Sequence, residues 1–283
     1  MDLIQEIDKL IVIALEEDIR SGDKTTEACI PETIEISGKF VLKQAGVLAG
    51  LKFLEPLFKK LDPNIEVHLL VEEGVFLKAG TTVAKINGPA RGILSGERVA
   101  LNLLQHASGV ATTTYYYVRK ISGYNCKILD TRKTLPGLRA LEKYAVKVGG
   151  GHNHRYGLDD RLIIKSKHLS FVALYAKDPI KESVKLVKNK YPNLPIEMEI
   201  KSIDQLDEAL QTDIDAIMLM NMSPEDVQKC AKKIRKTNKK VYVESGSSIT
   251  FDTIKAYAEL VDGISIGALT YSVQGLDIKM TLS

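Results

Sequence analysis

The chain has 283 residues, 45% of them hydrophobic, enough to bury one large core or two modest ones. Its formal net charge of +3 at pH 7 is too mild, and too well mixed with acids, to imply a nucleic-acid partner. Three cysteines, Cys29, Cys126 and Cys230, lack metal-ligand spacing and would leave one unpaired in any disulfide scheme, which points to a reducing compartment.

The first residues carry acids throughout, so they do not read as a signal peptide, and no apolar run reaches membrane-spanning length. A soluble cytoplasmic protein is expected. Residues 3 to 17 place Leu3, Ile4, Ile7, Leu10, Ile11, Ile13, Ala14 and Leu15 at helical spacing. Ser21-Gly22-Asp23 ends that helix in a turn. From Ile34 to Leu51 the pattern is that of strands, with Gly46 and Gly50 as bends or close approaches. A helix over Ala49 to Lys60, a strand over Ile65 to Val71, and strand and turn over Val75 to Ile86 complete an α/β sandwich.

A long helix begins at Ser95. Arg98, Asn102, Gln105 and Gly109 form one polar stripe beside Val99, Leu103, Ala107 and Val110. Beyond Lys127 the chain repeats an apolar run, a polar loop and an amphipathic helix. The strand candidates are Cys126–Asp130, Leu162–Lys165, Ile196–Ile200, Ala216–Met220, Val241–Glu244 and Gly263–Ile266. Helix starts follow: Asp178 before Pro179, a Ser202/Gln205 capping box, and Ser223 before Pro224 with two acids in the first turn. Such alternation predicts a parallel α/β barrel. The domains are expected to be 1–112, with the tail 268–283 returning to it, and 113–267.

The chemistry concentrates between Asp130 and His168. Arg132 and Lys133 follow one buried strand and Lys165 follows the next. Between them Gly149-Gly150-Gly151 leads into His152, Asn153, His154 and Arg155. Guanidinium forks suit carboxylates and phosphates, and a lysine ammonium suits phosphate as a point charge. At the carboxyl ends of parallel strands these cations face one pocket. Solvated surface charge is the bland reading for any one of them, but not for the set. A phosphate group suits the last two barrel loops, Gly246-Ser247-Ser248 and Gly267-Ala268, where helix N-termini offer N–H groups.

Asp130-Thr-Arg-Lys-Thr134, Pro136-Gly-Leu-Arg139, Gly149 through Asp160, and Ser95 through Gly109 together resemble the quinolinate phosphoribosyltransferase family. So does the opening, Ala14 to Asp18 with Gly22 to Thr26, and the likeness spans essentially the whole chain. The resemblance implies an N-terminal α/β sandwich joined to an incomplete parallel barrel of the type II phosphoribosyltransferase kind. It implies transfer of phosphoribosyl from phosphoribosyl pyrophosphate to quinolinate with loss of carbon dioxide, in NAD synthesis. Under it, Thr131, Arg132, His154 and Arg155 bind substrate, joined by Arg98 of a neighbouring subunit. Lys133 and Lys165 neutralise pyrophosphate. Glu199, with the residue at position 220, serves magnesium and the ribose hydroxyls, and magnesium is held mainly through the substrate pyrophosphate. A homodimer or larger assembly with shared sites is implied, with no nucleic-acid or membrane partner.

Three positions depart from the family pattern. Met220 stands where an aspartate is usual, Ser166 follows Lys165 in place of another aspartate, and the phosphate loop reads Ser245-Gly246-Ser247-Ser248. Two carboxylates are thereby exchanged for neutral groups, leaving Glu197, Glu199 and Asp160 as acidic candidates. Two alternatives stay open on sequence alone. One is the related molybdenum-operon enzyme. The other is a non-catalytic paralogue that binds pyridine carboxylates or nucleotides.

Overall fold

α1 (Leu3–Ile19) buries only Ile7, Ile11 and Leu15, residues four apart and therefore on one stripe. Ile4, Val12 and Ile13 stay exposed, so the broader apolar face expected from the sequence is cut to one line of contact. These are features of a computed structural model, which describes residues 3–237 and 240–282. Asp23 caps α2 (Lys24–Cys29) by accepting the Thr26 N–H at 3.0 Å. The chain continues through β1 (Glu35–Leu42), β2 (Gly46–Val47), a 3-10 turn over Leu51–Phe53, α3 (Leu54–Lys59), β3 (Glu66–Leu69), β4 (Phe76–Leu77) and β5 (Thr82–Pro89).

α4 (Ala90–Lys120) starts five residues before the expected Ser95. Gly92 looks like a loop residue, which hides the early start, and Gly96 follows inside the expected helix. They are glycines because the helix crosses closely here: a Cβ on Gly96 would lie 2.8 Å from the Phe58 ring. Then come β6 (Lys127–Leu129), α5 (Arg139–Val148), β7 (Leu162–Ile164), α6 (Ser166–Val172), α7 (Pro179–Lys190), β8 (Ile196–Ile200), α8 (Ile203–Leu210) and β9 (Ala216–Met220). α9 (Pro224–Arg235), β10 (Tyr242–Gly246), α10 (Lys255–Ala258), β11 (Gly263–Ser265), α11 (Ala268–Tyr271) and β12 (Ile278–Leu282) close the chain.

The described residues form two compact units. The first comprises the chain to Tyr116, the segment Lys133–Gly151 and the tail from Ala268. Its sheet has the order β12-β1-β5-β3, with β1 antiparallel to both neighbours. Along β1, Gly38, Phe40 and Leu42 are buried while Ser37 and Lys39 are exposed, the period of two that one buried face demands. The tail is fixed on α4 as well as on β1. Gln105 Nε2 donates to the Ile278 carbonyl at 2.7 Å, and a side chain at Gly109 would collide with the carbonyl of Gln274. Half of the expected polar stripe thus faces the tail, and Arg98 and Asn102 alone of the four are exposed. The segment Lys133–Gly151, expected within the barrel stretch, packs with this unit. Glu73 binds the Gly50 N–H and the Leu51 N–H and accepts the Tyr144 hydroxyl of α5, tying that segment down.

The second unit holds Tyr117–Arg132 and His152–Gly267. Its six strands are all parallel in the order β6-β11-β10-β9-β8-β7, and each pairs in register with its neighbour. The two ends, β6 and β7, are consecutive in sequence, so the sheet is a barrel left open between them. β8 is buried at all five positions and β9 at four, as strands covered on both faces require. The expected caps on α8 and α9 form: the hydroxyls of Ser202 and Ser223 accept the N–H groups of Gln205 and Asp226. Asp178 precedes α7 but makes no side-chain cap. Among the described residues no helix is long and apolar enough to cross a membrane.

Candidate active site

Parallel strands bring their carboxyl ends to one rim, and most of the predicted site lies there. Asp130 leaves β6 fully buried, and its Oδ1 accepts the His154 N–H at 2.8 Å. The backbone adds two bonds, His152 N–H to the Ile128 carbonyl at 2.8 Å and Asp130 N–H to the His152 carbonyl at 3.0 Å. The His152–His154 segment therefore lies against the free edge of β6. This pairing holds His154 and Arg155 beside Thr131 and Arg132.

His154 is buried, and both ring nitrogens are occupied inside the barrel. Nδ1 accepts the Arg155 N–H at 2.8 Å. Nε2 lies between two fully buried carboxylates, 3.2 Å from Glu197 Oε2 and 3.4 Å from Glu244 Oε2. Its ring does not reach out to the rim as the sequence led one to expect. Burial works to lower the His154 pKa, but the contacts to Glu197 and Glu244 outweigh it and raise it to about 9. Burial also raises the Glu244 carboxyl. His154 and Glu244 thus hold one extra proton between them. Since Nδ1 accepts an N–H, it carries a lone pair, so Nε2 bears the ring proton and the extra one belongs to Glu244.

His154, Glu197 and Glu244 have the composition of a transition-metal site. The Arg155 N–H argues against that use: a ligating Nε2 would need the other nitrogen protonated, and Nδ1 is an acceptor here.

Arg155 is half-buried, and its Nη1 donates to the Arg161 carbonyl at 3.1 Å. Burial lowers its pKa, and the neighbouring positive charge of Arg132 lowers it further. Arg132 and Arg155 are thus neighbouring guanidinium groups, whose planar forks suit carboxylates or phosphates.

Lys165 is exposed at the end of β7, and its Nζ lies 4.0 Å from Glu199 Oε2. Its N–H donates to His168 Nδ1 at 3.0 Å, fixing the first turn of α6. Glu199 is buried and also meets Lys201 Nζ at 3.7 Å, a partner that the sequence reading missed. Met220 ends β9, opposite Gly246 in the register. Asn221 follows with φ +55°, and Ser247 has φ +83°, left-handed backbone that glycine adopts without strain. Ser247 and Ser248 are exposed, while Gly246 is buried. Gly267 follows β11 and is half-buried.

Three predicted residues belong to the first unit. Arg98 is exposed on α4, and Ala268 begins α11. Lys133 is exposed, and its carbonyl accepts the Thr270 hydroxyl at 2.7 Å. Glu142, fully buried, accepts the Leu135 N–H at 3.2 Å and lies 2.9 Å from His106 Nε2, fixing the backbone just after Lys133. Within the second unit, a cavity of about 350 Å³ opens at the opposite rim, among Lys127, His154, Arg161, Glu197, Ala216 and Tyr242.

As for a metal at the C-terminal rim, Glu199 is one carboxylate already between two lysines, and Met220 offers no oxygen. These side chains alone do not fit a magnesium site, which takes several oxygen ligands.

The family model for the quinolinate phosphoribosyl transferase N-terminal domain matches residues 23–108, and that for the C-terminal domain matches residues 110–281. A probable nicotinate-nucleotide pyrophosphorylase [carboxylating] of Bacillus subtilis (strain 168) is 39% identical over 280 residues, covering 98% of this chain and 94% of its own. The nicotinate-nucleotide pyrophosphorylase [carboxylating] of Mycobacterium leprae is also 39% identical, over 95% of this chain and 94% of its own. Among solved structures, NadC from Streptococcus pyogenes superposes with a TM-score of 0.92 at 35% identity, covering 100% of this chain and 98% of that one.

Proposed function

This chain belongs to the quinolinate phosphoribosyltransferase family, and from that premise we propose how its own residues carry out the reaction. It is a pentosyl-transferring enzyme. Phosphoribosyl passes from phosphoribosyl pyrophosphate to quinolinate, and decarboxylation leaves nicotinate mononucleotide, pyrophosphate and carbon dioxide, a step of NAD synthesis.

Arg132 and Arg155 grip the two adjacent carboxylates of quinolinate. The observation that carries this is the pinning of the His152–His154 segment to the edge of β6 by Asp130, which sets Arg155 beside Arg132. Thr131 lies beside Arg132 on the same turn. His154 serves from behind, by holding Arg155. Lys133 and Lys165 take the pyrophosphate as it departs, when charge builds on its oxygens and the sugar carbon becomes oxocarbenium-like. Bonding at the ring nitrogen then makes it cationic, which stabilises the carbanion left as carbon dioxide goes, and a proton from solvent completes the C–H bond of the product. Glu199 faces the ribose hydroxyls with Lys165 and Lys201 on either side. The 5-phosphate is received by the loops at Gly246-Ser247-Ser248 and at Gly267-Ala268. Magnesium would supply charge neutralisation for the pyrophosphate, with Glu199 the carboxylate of this rim that could meet it.

The exposed Arg98 is supplied to a second copy of the chain, so that the functional species is a homodimer with two shared sites. Three free cysteines suit the cytoplasm. The test combines two lesions. Arg98→Ala and Lys165→Ala each abolish activity alone, and mixing them with subunit exchange restores roughly a quarter of wild-type activity by random pairing. No recovery, with exchange confirmed by mass, rejects the shared site. Arg155→Ala raises KM for quinolinate by about 10- to 100-fold, the value of one charged hydrogen-bonding group. An unchanged KM rejects the carboxylate assignment.

A further inference from the structure

Glu197 is fully buried in the barrel, below the rim where substrates enter, and a carboxylate in such a place is costly unless something uses it. What it does there follows from a closed circuit of contacts. Its Oε2 is 3.2 Å from His154 Nε2. His154 Nδ1 accepts the Arg155 N–H at 2.8 Å. The Arg155 guanidinium donates to the Arg161 carbonyl at 3.1 Å. The Arg161 guanidinium returns to Glu197 Oε2 at 3.4 Å. Arg155 is therefore held at its backbone and at its fork by two residues that both end on one buried oxygen. Glu244 closes the far side of the imidazole at 3.4 Å.

Resting on the reading that Arg155 grips a quinolinate carboxylate, we infer that Glu197 is a positioning residue for quinolinate, with Glu244 as its assistant. The negative charge beside Nε2 holds the ring proton there, which leaves Nδ1 a lone pair, and that lone pair receives the Arg155 N–H. Were the ring to carry its proton on Nδ1, N–H would face N–H and Arg155 would turn away. Glu197 touches no substrate. It acts through tautomer choice on one side of Arg155 and through Arg161 on the other. Its loss therefore weakens quinolinate binding and leaves the phosphoribosyl pyrophosphate sites alone.

The experiment is a KM split on the full-length enzyme, with two substitutions at one position. Glu197→Met keeps the volume and removes both acceptors. It raises KM for quinolinate about tenfold, the value of one lost hydrogen bond to a charged group, while KM for phosphoribosyl pyrophosphate moves less than about twofold. Glu197→Gln retains one acceptor oxygen for Nε2 and raises the quinolinate KM less. Equal changes in both KM values, or none, overturn the inference. A measurement on the unsubstituted enzyme stands in if Glu197→Met does not fold. Proton–nitrogen correlation of labelled histidine, with His154 identified by its loss in His154→Gln, must show Nε2 protonated and Nδ1 bare near neutral pH. A protonated Nδ1 overturns it as well. The underlying reading fails separately: if Arg155→Ala leaves the quinolinate KM unchanged, Arg155 does not grip the carboxylate. If Arg155→Ala raises it and Glu197→Met does not, only the positioning role falls.

Discussion

Replacing Ser247 by glycine should stabilise the second unit, although it removes a side chain. Ser247 has φ +83° in the loop after β10, where a Cβ crowds the carbonyl. An L-residue held there costs roughly 1–2 kcal/mol, and the exposed hydroxymethyl group returns no packing. Glycine removes that strain but gives the unfolded chain more freedom, which takes back roughly 0.4–1 kcal/mol. The balance is a gain of about 0.8 kcal/mol. Urea slopes for domains of this size are roughly 2 kcal/mol per molar, so the midpoint rises by about 0.4 M. Urea titration followed by circular dichroism at 222 nm reads this directly. Ser248→Gly is the control, because Ser248 is not among the positive-φ residues and glycine there brings only the entropic loss. It should lower the midpoint. A fall for Ser247→Gly, or the same sign for both, refutes the strain argument.

Two further outcomes are expected. The proton that His154 shares with Glu244 is held up to about 9, above the ordinary imidazole value of 6.5, so the fold binds it more tightly than the unfolded chain does. The stability it contributes is complete below pH 6.5 and is lost as pH rises through about 9. Thermal midpoints should fall across that window and fall less in Glu244→Gln, which is neutral at every pH; equal slopes would place the proton elsewhere. Maleimide at pH 7.5 should label the exposed Cys29 first. The Cys126 thiol is pushed up to about 12 by burial and then by Asp262 and Glu244, so peptide mapping should find it unlabelled at early times.

The strands of the second unit were legible because each is a short apolar run between turn residues, and β8 and β9 match their expected bounds residue for residue. The cations were legible because they end those runs. What the sequence hid depends on distant partners. Glu197 read as a spare ligand, since nothing local shows that it meets His154, 43 residues earlier in the chain, and Arg161. His154 read, by resemblance, as a substrate contact, and its inward turn escaped the reading because it is set by Asp130 on the edge of another strand. Lys201 lay outside any motif, and its closeness to Glu199 comes from the turn after β8. Similarly, α1 carries apolar residues around more of its surface than the fold covers, so composition overstated its buried face.

The central claim is that paired guanidiniums on this rim select a dicarboxylate and that its decarboxylation follows transfer. The purified chain, given phosphoribosyl pyrophosphate, magnesium and quinolinate labelled in the carboxyl next to the ring nitrogen, tests it in one reaction. Labelled carbon dioxide and nicotinate mononucleotide should appear in equal amounts, and nicotinate offered instead should turn over far more slowly. Nicotinate used as well as quinolinate, or nucleotide formed without carbon dioxide, would contradict the account.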